Sequence, residues 1–122
     1  VYNEEYMDQI NIDEIDTDDI IYDIGSKTVN EFKKIIDQSK TIFVNGTCGK
    51  YEDVKFANGT REMLNNIADS KAKSIVGGGD GVSAVKFFKL SPKFDFLSTG
   101  GGATLEYIIK GSLPAIDIIE DE

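Results

Sequence analysis

Short apolar runs alternate with segments of helical period along most of this chain. Ile20-Ile21-Tyr22 predicts a buried strand, closed by Asp23-Ile24-Gly25. Thr28-x-x-Glu31 has the spacing of a capping box, and Val29, Phe32, Ile35 and Ile36 fall on one face of the helix it would open. Thr41-Ile42-Phe43-Val44 predicts a second strand with Asn45-Gly46 as its turn, followed by a loop over 46–56. Thr60 to Ala68 predicts a helix with Met63, Leu64 and Ile67 inward. Lys73-Ser74-Ile75-Val76 predicts a third strand, and Val82, Val85, Phe88 and Leu90 mark the helix behind it. Phe94 to Leu97 predicts a fourth strand and Ala103 to Ile109 a fourth helix, ended by Lys110-Gly111. Ahead of these units, residues 1–19 alternate only weakly (Ile10, Ile12, Ile15) and predict an acidic edge hairpin or arm, with 20–122 as the main body.

Strand and helix thus alternate four times, which predicts an α/β fold with a parallel sheet and right-handed crossovers. The strands are apolar at successive positions, the pattern of a sheet flanked by helices. The three later strands each run into glycine-rich turns, so those turns should gather at the carboxyl edge of the sheet, where open α/β folds bind ligands.

Charge narrows the function classes. Net charge is −9, and residues 1–23 hold nine acids without a Lys or Arg. The other 99 residues carry 13 acids and 13 bases, so acidity is concentrated in the N-terminal block and the Glu120-Asp121-Glu122 tail, both read as solvated surface. No basic stripe exists to neutralise a nucleic-acid backbone, so no nucleic-acid partner is expected. No apolar run approaches the roughly 20 residues that span a bilayer, so no membrane partner and a cytoplasmic location are expected. The chain has one Cys and no His, which excludes internal disulfides, Ser-His-Asp and Cys-His catalysis and the usual zinc sites.

Two glycine triplets hold the chemistry: Val76-Gly77-Gly78-Gly79-Asp80 and Ser98-Thr99-Gly100-Gly101-Gly102-Ala103. Each follows an apolar run and opens a predicted helix. Unpaired N–H groups and the positive dipole end of a helix N-terminus suit an anion, and glycine lets it approach closely. For the first triplet two readings stand: a tight turn with Asp80 as N-cap, or amides facing phosphate oxygens with Asp80 as a Mg²⁺ ligand. For the second they are a Ser or Thr cap on a closely packed helix, or an oxyanion nest for a transferring phosphoryl group. Gly49-Lys50 is followed by Tyr51, which breaks the Walker A pattern. Gly79-Asp80-Gly81-Val82-Ser83-Ala84 fits G-x-G-x-x-A, but Asp95 falls near the start of the next strand, where an acid cannot reach a ribose, so the dinucleotide match reads as accidental. In the loop Asn45-Gly46-Thr47-Cys48-Gly49-Lys50-Tyr51-Glu52, Glu52 could accept hydrogen bonds from ribose hydroxyls, and Cys48 has no His to activate it.

These pieces in this order resemble the C-terminal part of the phosphoglycerate kinase family. The shared elements are Asp23-Ile24-Gly25-Ser26-Lys27-Thr28, Asn45-Gly46…Gly49…Glu52, Phe56-Ala57-Asn58-Gly59-Thr60, Gly77-Gly78-Gly79-Asp80, Ser98-Thr99-Gly100-Gly101-Gly102-Ala103 and Leu105-Glu106…Gly111…Leu113-Pro114. The resemblance implies that residues 20–122 are the C-terminal portion of a Rossmann-like nucleotide-binding domain. It also implies phosphoryl exchange between 1,3-bisphosphoglycerate and ADP, giving 3-phosphoglycerate and ATP, with Mg²⁺ as the cofactor. By family motif Asp80 would hold Mg²⁺, Glu52 the ribose, and Asn45, Gly78 and Gly79 the nucleotide phosphates, while Gly100, Gly101 and Gly102 would cradle the phosphoryl group in flight. The chain departs from the family pattern at Thr47, Lys50, Gly81 and Tyr22, and Lys50 and Gly81 motivate an alternative: a nucleotide-fold binding module without catalysis. The family's basic N-terminal domain and the first strands of the nucleotide domain are not in this sequence. The remainder of the kinase polypeptide is therefore the expected partner, and the chain alone is expected to be inactive.

Overall fold

The computed structural model describes residues 2, 3 and 8–98. The Gly100–Gly102 triplet and the helix predicted over Ala103–Ile109 lie outside the described residues. The elements run β1 (Tyr2–Asn3), β2 (Asp8–Gln9), β3 (Ile21–Asp23), α1 (Ser26–Gln38), β4 (Thr41–Asn45), α2 (Asn58–Asp69), β5 (Lys73–Gly77), α3 (Gly79–Phe87) and β6 (Phe96–Ser98). Strands β4, β5 and β6 form a parallel sheet in that order, with Val44 opposite Val76 and Val76 opposite Leu97. The aliphatic β4 and β5 runs specify central pairing, and the crossover helices α2 and α3 allow it to be parallel.

Side chains alternate across a strand, so the register sorts them into two faces. Ile42, Val44, Val76 and Leu97 face one way, into a core completed by Leu64 and Ile67 of α2, Val82 and Val85 of α3, and Ile36 of α1. Val76, Ala84 and Val85 are fully enclosed there. Each valine so buried contributes about 1.5–3 kcal/mol. The opposite face carries the row Phe43, Ile75 and Phe96, of which Phe96 is 56% exposed.

Three expectations change. The strand at 21–23 is not the first of four parallel strands: β3 pairs antiparallel with β1, which pairs antiparallel with β2, in a second small sheet. Nor is it apolar inside, since Ile20 and Ile21 are half exposed and Asp23 is the buried residue. Its inward position is occupied by a carboxylate that serves α2, described below. The capping box at Thr28 does not form, because α1 begins at Ser26 after an extended Gly25. A distant side chain replaces the local cap: Gln9 Oε1 accepts from Ser26 N at 2.7 Å and Ser26 Oγ at 2.8 Å. The fourth strand starts at Phe96 rather than Phe94, because Phe94 is drawn into the core and the Asp95 carboxylate accepts from Ser74 N at 2.7 Å.

Helix α3 stops in a Schellman turn. Lys89 takes φ 58°, its N–H bonds Lys86 O, and Leu90 N–H bonds Val85 O, which tucks Leu90 into the core. Among the described residues no helix is long and apolar enough to cross a membrane.

Candidate functional site

Parallel pairing brings the carboxyl ends of three strands into line. Asn45 ends β4 opposite Gly77 of β5, and Gly77 lies opposite Ser98, the last residue of β6. Gly78 N–H donates to Ser98 O at 2.9 Å, which ties the turn beyond β5 to the end of β6. Gly78 has φ 87° and ψ 152°, a conformation that glycine adopts without penalty, and it swings the chain from β5 directly into α3. Gly81 sits in the first turn of that helix, where a Cβ would lie 3.0 Å from Val76 Cγ1 and 3.5 Å from Gly46 N. The first turn of α3 is therefore seated on the end of β5 and beside the turn that follows β4. Asn45, Gly78, Gly79 and Asp80 share one rim.

Asp80 is the second residue of α3 and is exposed; the N-cap is Gly78, so the capping reading of Asp80 fails. The first amides of α3 have no acceptor within the helix and present its positive end at this rim. A Cβ on Gly46 or Gly79 would meet nothing within 4 Å, so the space in front is open.

Glu52 follows the residue that fixes its loop to α3. The Tyr51 ring is buried and meets Phe87 of α3 edge-on at 5.6 Å, which anchors the 46–52 loop to the helix. Burial pushes the Tyr51 hydroxyl above its ordinary 10.0, and the nearby carboxylates of Glu52 and Asp80 push it further the same way. Both acids thus act on the hydroxyl of the residue that packs the loop against α3. Glu52 itself is exposed.

Beneath the loop lies a residue the sequence did not single out for a role. Asp23 is 2% exposed, with Oδ2 accepting from Gly59 N at 2.7 Å and Oδ1 from Ile24 N at 2.8 Å. Burial raises its carboxyl above the ordinary 3.8, against the opposing pull of those two amides. The only sequence signal was an acid at the end of an apolar run; its partner lies 36 residues away. Cys48 is half-buried, and burial together with the Asp23 charge raises its thiol, which fits no nucleophilic role.

Tyr22 and Lys50, two of the departures, are in contact. Lys50 Nζ lies 5.8 Å over the Tyr22 ring, Lys50 N–H donates to Tyr22 O at 3.0 Å, and Tyr22 stacks on buried Phe56 at 4.7 Å. Asp95 is held at the start of β6 by Ser74, away from the rim, as the rejected dinucleotide pattern requires. A cleft of about 370 Å³ lies between Gln9–Asp13 and the start of α1, and none of the predicted site residues lines it.

The donor set fits Mg²⁺ arriving with a nucleotide. Among the described residues no trio of His, Cys, Asp or Glu could cage a metal unaided. One exposed carboxylate beside open amides suits an ion that keeps waters and takes its other ligands from phosphates. Ser98 delivers the chain to this rim, and Gly100, Gly101 and Gly102 follow outside the described residues.

The family model described as "Phosphoglycerate kinase" matches residues 2–111. The chain belongs to the phosphoglycerate kinase family. A phosphoglycerate kinase of Wigglesworthia glossinidia brevipalpis is 47% identical over 106 residues, covering 87% of this chain and 27% of that protein. One from Dictyoglomus turgidum is 43% identical over 113 residues, covering 92% and 28%. The structure of phosphoglycerate kinase from Coxiella burnetii matches with TM-score 0.81 and 41% identity over 89% of this chain and 28% of that one. The chain therefore spans about a quarter of the length of the phosphoglycerate kinases it matches.

Proposed function

We propose that this chain supplies part of the nucleotide and phosphate site of a phosphoglycerate kinase. That enzyme would exchange a phosphoryl group between 1,3-bisphosphoglycerate and ADP, giving 3-phosphoglycerate and ATP. One observation carries the proposal: Asn45, Gly78, Gly79 and Asp80 gather at a single open rim, and Tyr51, the neighbour of Glu52 in the chain, packs against Phe87 of α3. Asn45 and the first amides of α3 would bind the nucleotide phosphates, Glu52 would take the ribose hydroxyls, and Asp80 would hold Mg²⁺. The metal, when bound, would neutralise charge on the phosphate oxygens. Phosphoryl transfer depends mainly on positioning and electrostatic stabilisation, which a rim of fixed backbone donors supplies. Gly100, Gly101 and Gly102 are proposed to receive the phosphoryl group in transit. The remainder of the polypeptide would bind phosphoglycerate and exclude water.

The test is ATP formation from 1,3-bisphosphoglycerate and Mg-ADP by the complete polypeptide carrying this chain, beside the chain alone. Turnover in the first and none in the second is expected. The second reading, a binding module without catalysis, is favoured by the contact of Lys50 with Tyr22, two residues that depart from the family pattern. A folded complete polypeptide with no turnover decides for that reading.

A further inference from the structure

We infer that Asp23 is a positioning residue for nucleotide binding, acting through the 46–52 loop that links Asn45 to Glu52. The inference rests on the proposed function and adds a residue that touches no ligand. A carboxylate at 2% exposure is costly unless its oxygens are satisfied, and a small apolar residue would fill the same volume without that cost. The surroundings show what the carboxylate does instead. It accepts from Gly59 N–H, in the first turn of α2, where a negative charge complements the open helix end.

Two glycines press on it from different segments. A Cβ on Gly59 would overlap Asp23 Oδ1 from the α2 side, and a Cβ on Gly49 would overlap the same oxygen from the loop side. The carboxylate is thus the point where the end of β3, the start of α2 and the middle of the loop meet. The neighbouring loop residues rest on the same floor. Lys50 N–H donates to Tyr22 O at 3.0 Å, and Cys48 N–H donates to the buried Thr60 Oγ1 at 3.2 Å. Three consecutive residues, 48–50, are therefore set by Asp23 and the groups on either side of it. Asn45 at one end of the loop and Glu52 at the other inherit that setting.

Asp23→Asn keeps the volume but turns one acceptor into a donor facing an amide N–H. Gly49→Ala keeps the carboxylate but lifts the loop from it and from the Tyr22 carbonyl, 2.7 Å from the added Cβ; Gly49 has no left-handed φ, so these contacts alone change. The experiment is calorimetric titration of Mg-ADP into the complete polypeptide, with kcat measured at saturating nucleotide, for wild type and both variants. The expected result is a Kd raised about tenfold in each variant with kcat within about twofold of wild type. A variant that melts at lower temperature yet binds Mg-ADP with the wild-type Kd shows a purely architectural Asp23 and overturns the inference. Should Asp23→Asn fail to fold, Gly49→Ala alone decides it by the same criterion. Wild-type protein that binds no Mg-ADP overturns the proposed function and this role together.

Discussion

The carboxyl edge of the sheet has a floor and a rim, and they are built to opposite rules. Below the edge, Asp23, Gly49, Gly59, Thr60 and Val76 are so crowded that two glycines have no room for a methyl group, and every polar atom enclosed there has a partner. Above it, Asn45, Glu52, Gly79 and Asp80 are exposed, with open space in front of Gly46 and Gly79. Crowding is where stability resides, because close-packed groups cannot be changed without strain or voids. Openness is where chemistry resides, because a ligand must displace only water. Substitutions on the floor should therefore change stability, and those at Asp23 and Gly49, which set the 46–52 loop, should change binding as well; substitutions on the rim should change binding or turnover with stability untouched.

The largest effect expected is Gly59→Ala. The added methyl would overlap the Asp23 carboxylate and lie 2.7 Å from Ile24 Cγ1, and the carboxylate is enclosed and held by the Gly59 and Ile24 amides. A loss of about 3 kcal/mol is expected, at the upper end of overpacking costs. Denaturant midpoints of the two proteins measure it. A midpoint equal to wild type would mean the floor is looser than its contacts indicate, and the contrast with the rim would collapse.

Asp80→Asn is the matching rim experiment. Asp80 has no packed neighbour to lose, so stability should stay within about 0.5 kcal/mol of wild type. In the complete polypeptide, turnover should fall about 100-fold, the scale of losing one preorganised electrostatic group. Full activity with Mg²⁺ as the only divalent ion would remove Asp80 from the metal site.

The two levels also differ in how far the amino-acid sequence discloses them. The rim was legible. Thr41–Val44 and Lys73–Val76 each end in apolar residues that run into Asn45-Gly46 or Gly77, and parallel pairing then forces their turns together. The floor was not. Asp23 and Gly59 interact across 36 residues, and spacing carries no signal for a pair that distant. β1 and β2 contribute two residues each, too few for periodicity to announce that β3 would pair antiparallel with them. At Thr28 a correct local motif lost to Gln9, whose side chain reaches the helix start from the arm. Local patterns fix what neighbouring residues decide; where a remote side chain supports an earlier helix start, the local motif falls inside the helix and its cap is not used.

A pH titration sharpens the floor further. Burial raises the Asp23 carboxyl above its unfolded value near 3.8, so the folded state holds this proton more tightly than the unfolded state does. Its contribution to stability is then greatest below 3.8 and declines as pH climbs through the raised value. The stability difference between wild type and Asp23→Asn, measured from acid to neutral pH, should move in wild type's favour on acidification. A difference that grows toward neutrality would mean that the amides of Gly59 and Ile24 outweigh burial.

The smallest effect tests the one place where floor and rim exchange a side chain. Lys50 is exposed, yet its ammonium lies 5.8 Å from the centre of the Tyr22 ring, which is itself stacked on buried Phe56. A double-mutant cycle of Lys50→Met and Tyr22→Leu should return a coupling of about 0.5 kcal/mol, the scale of an exposed cation–π contact. With that coupling, Lys50 belongs to the floor in the free protein, and any nucleotide contact it makes must first release it from the ring. The coupling should then shrink when Mg-ADP is present. A coupling of zero in the free protein would leave Lys50 wholly on the rim, and Lys50→Met would change the Kd for Mg-ADP without reference to Tyr22.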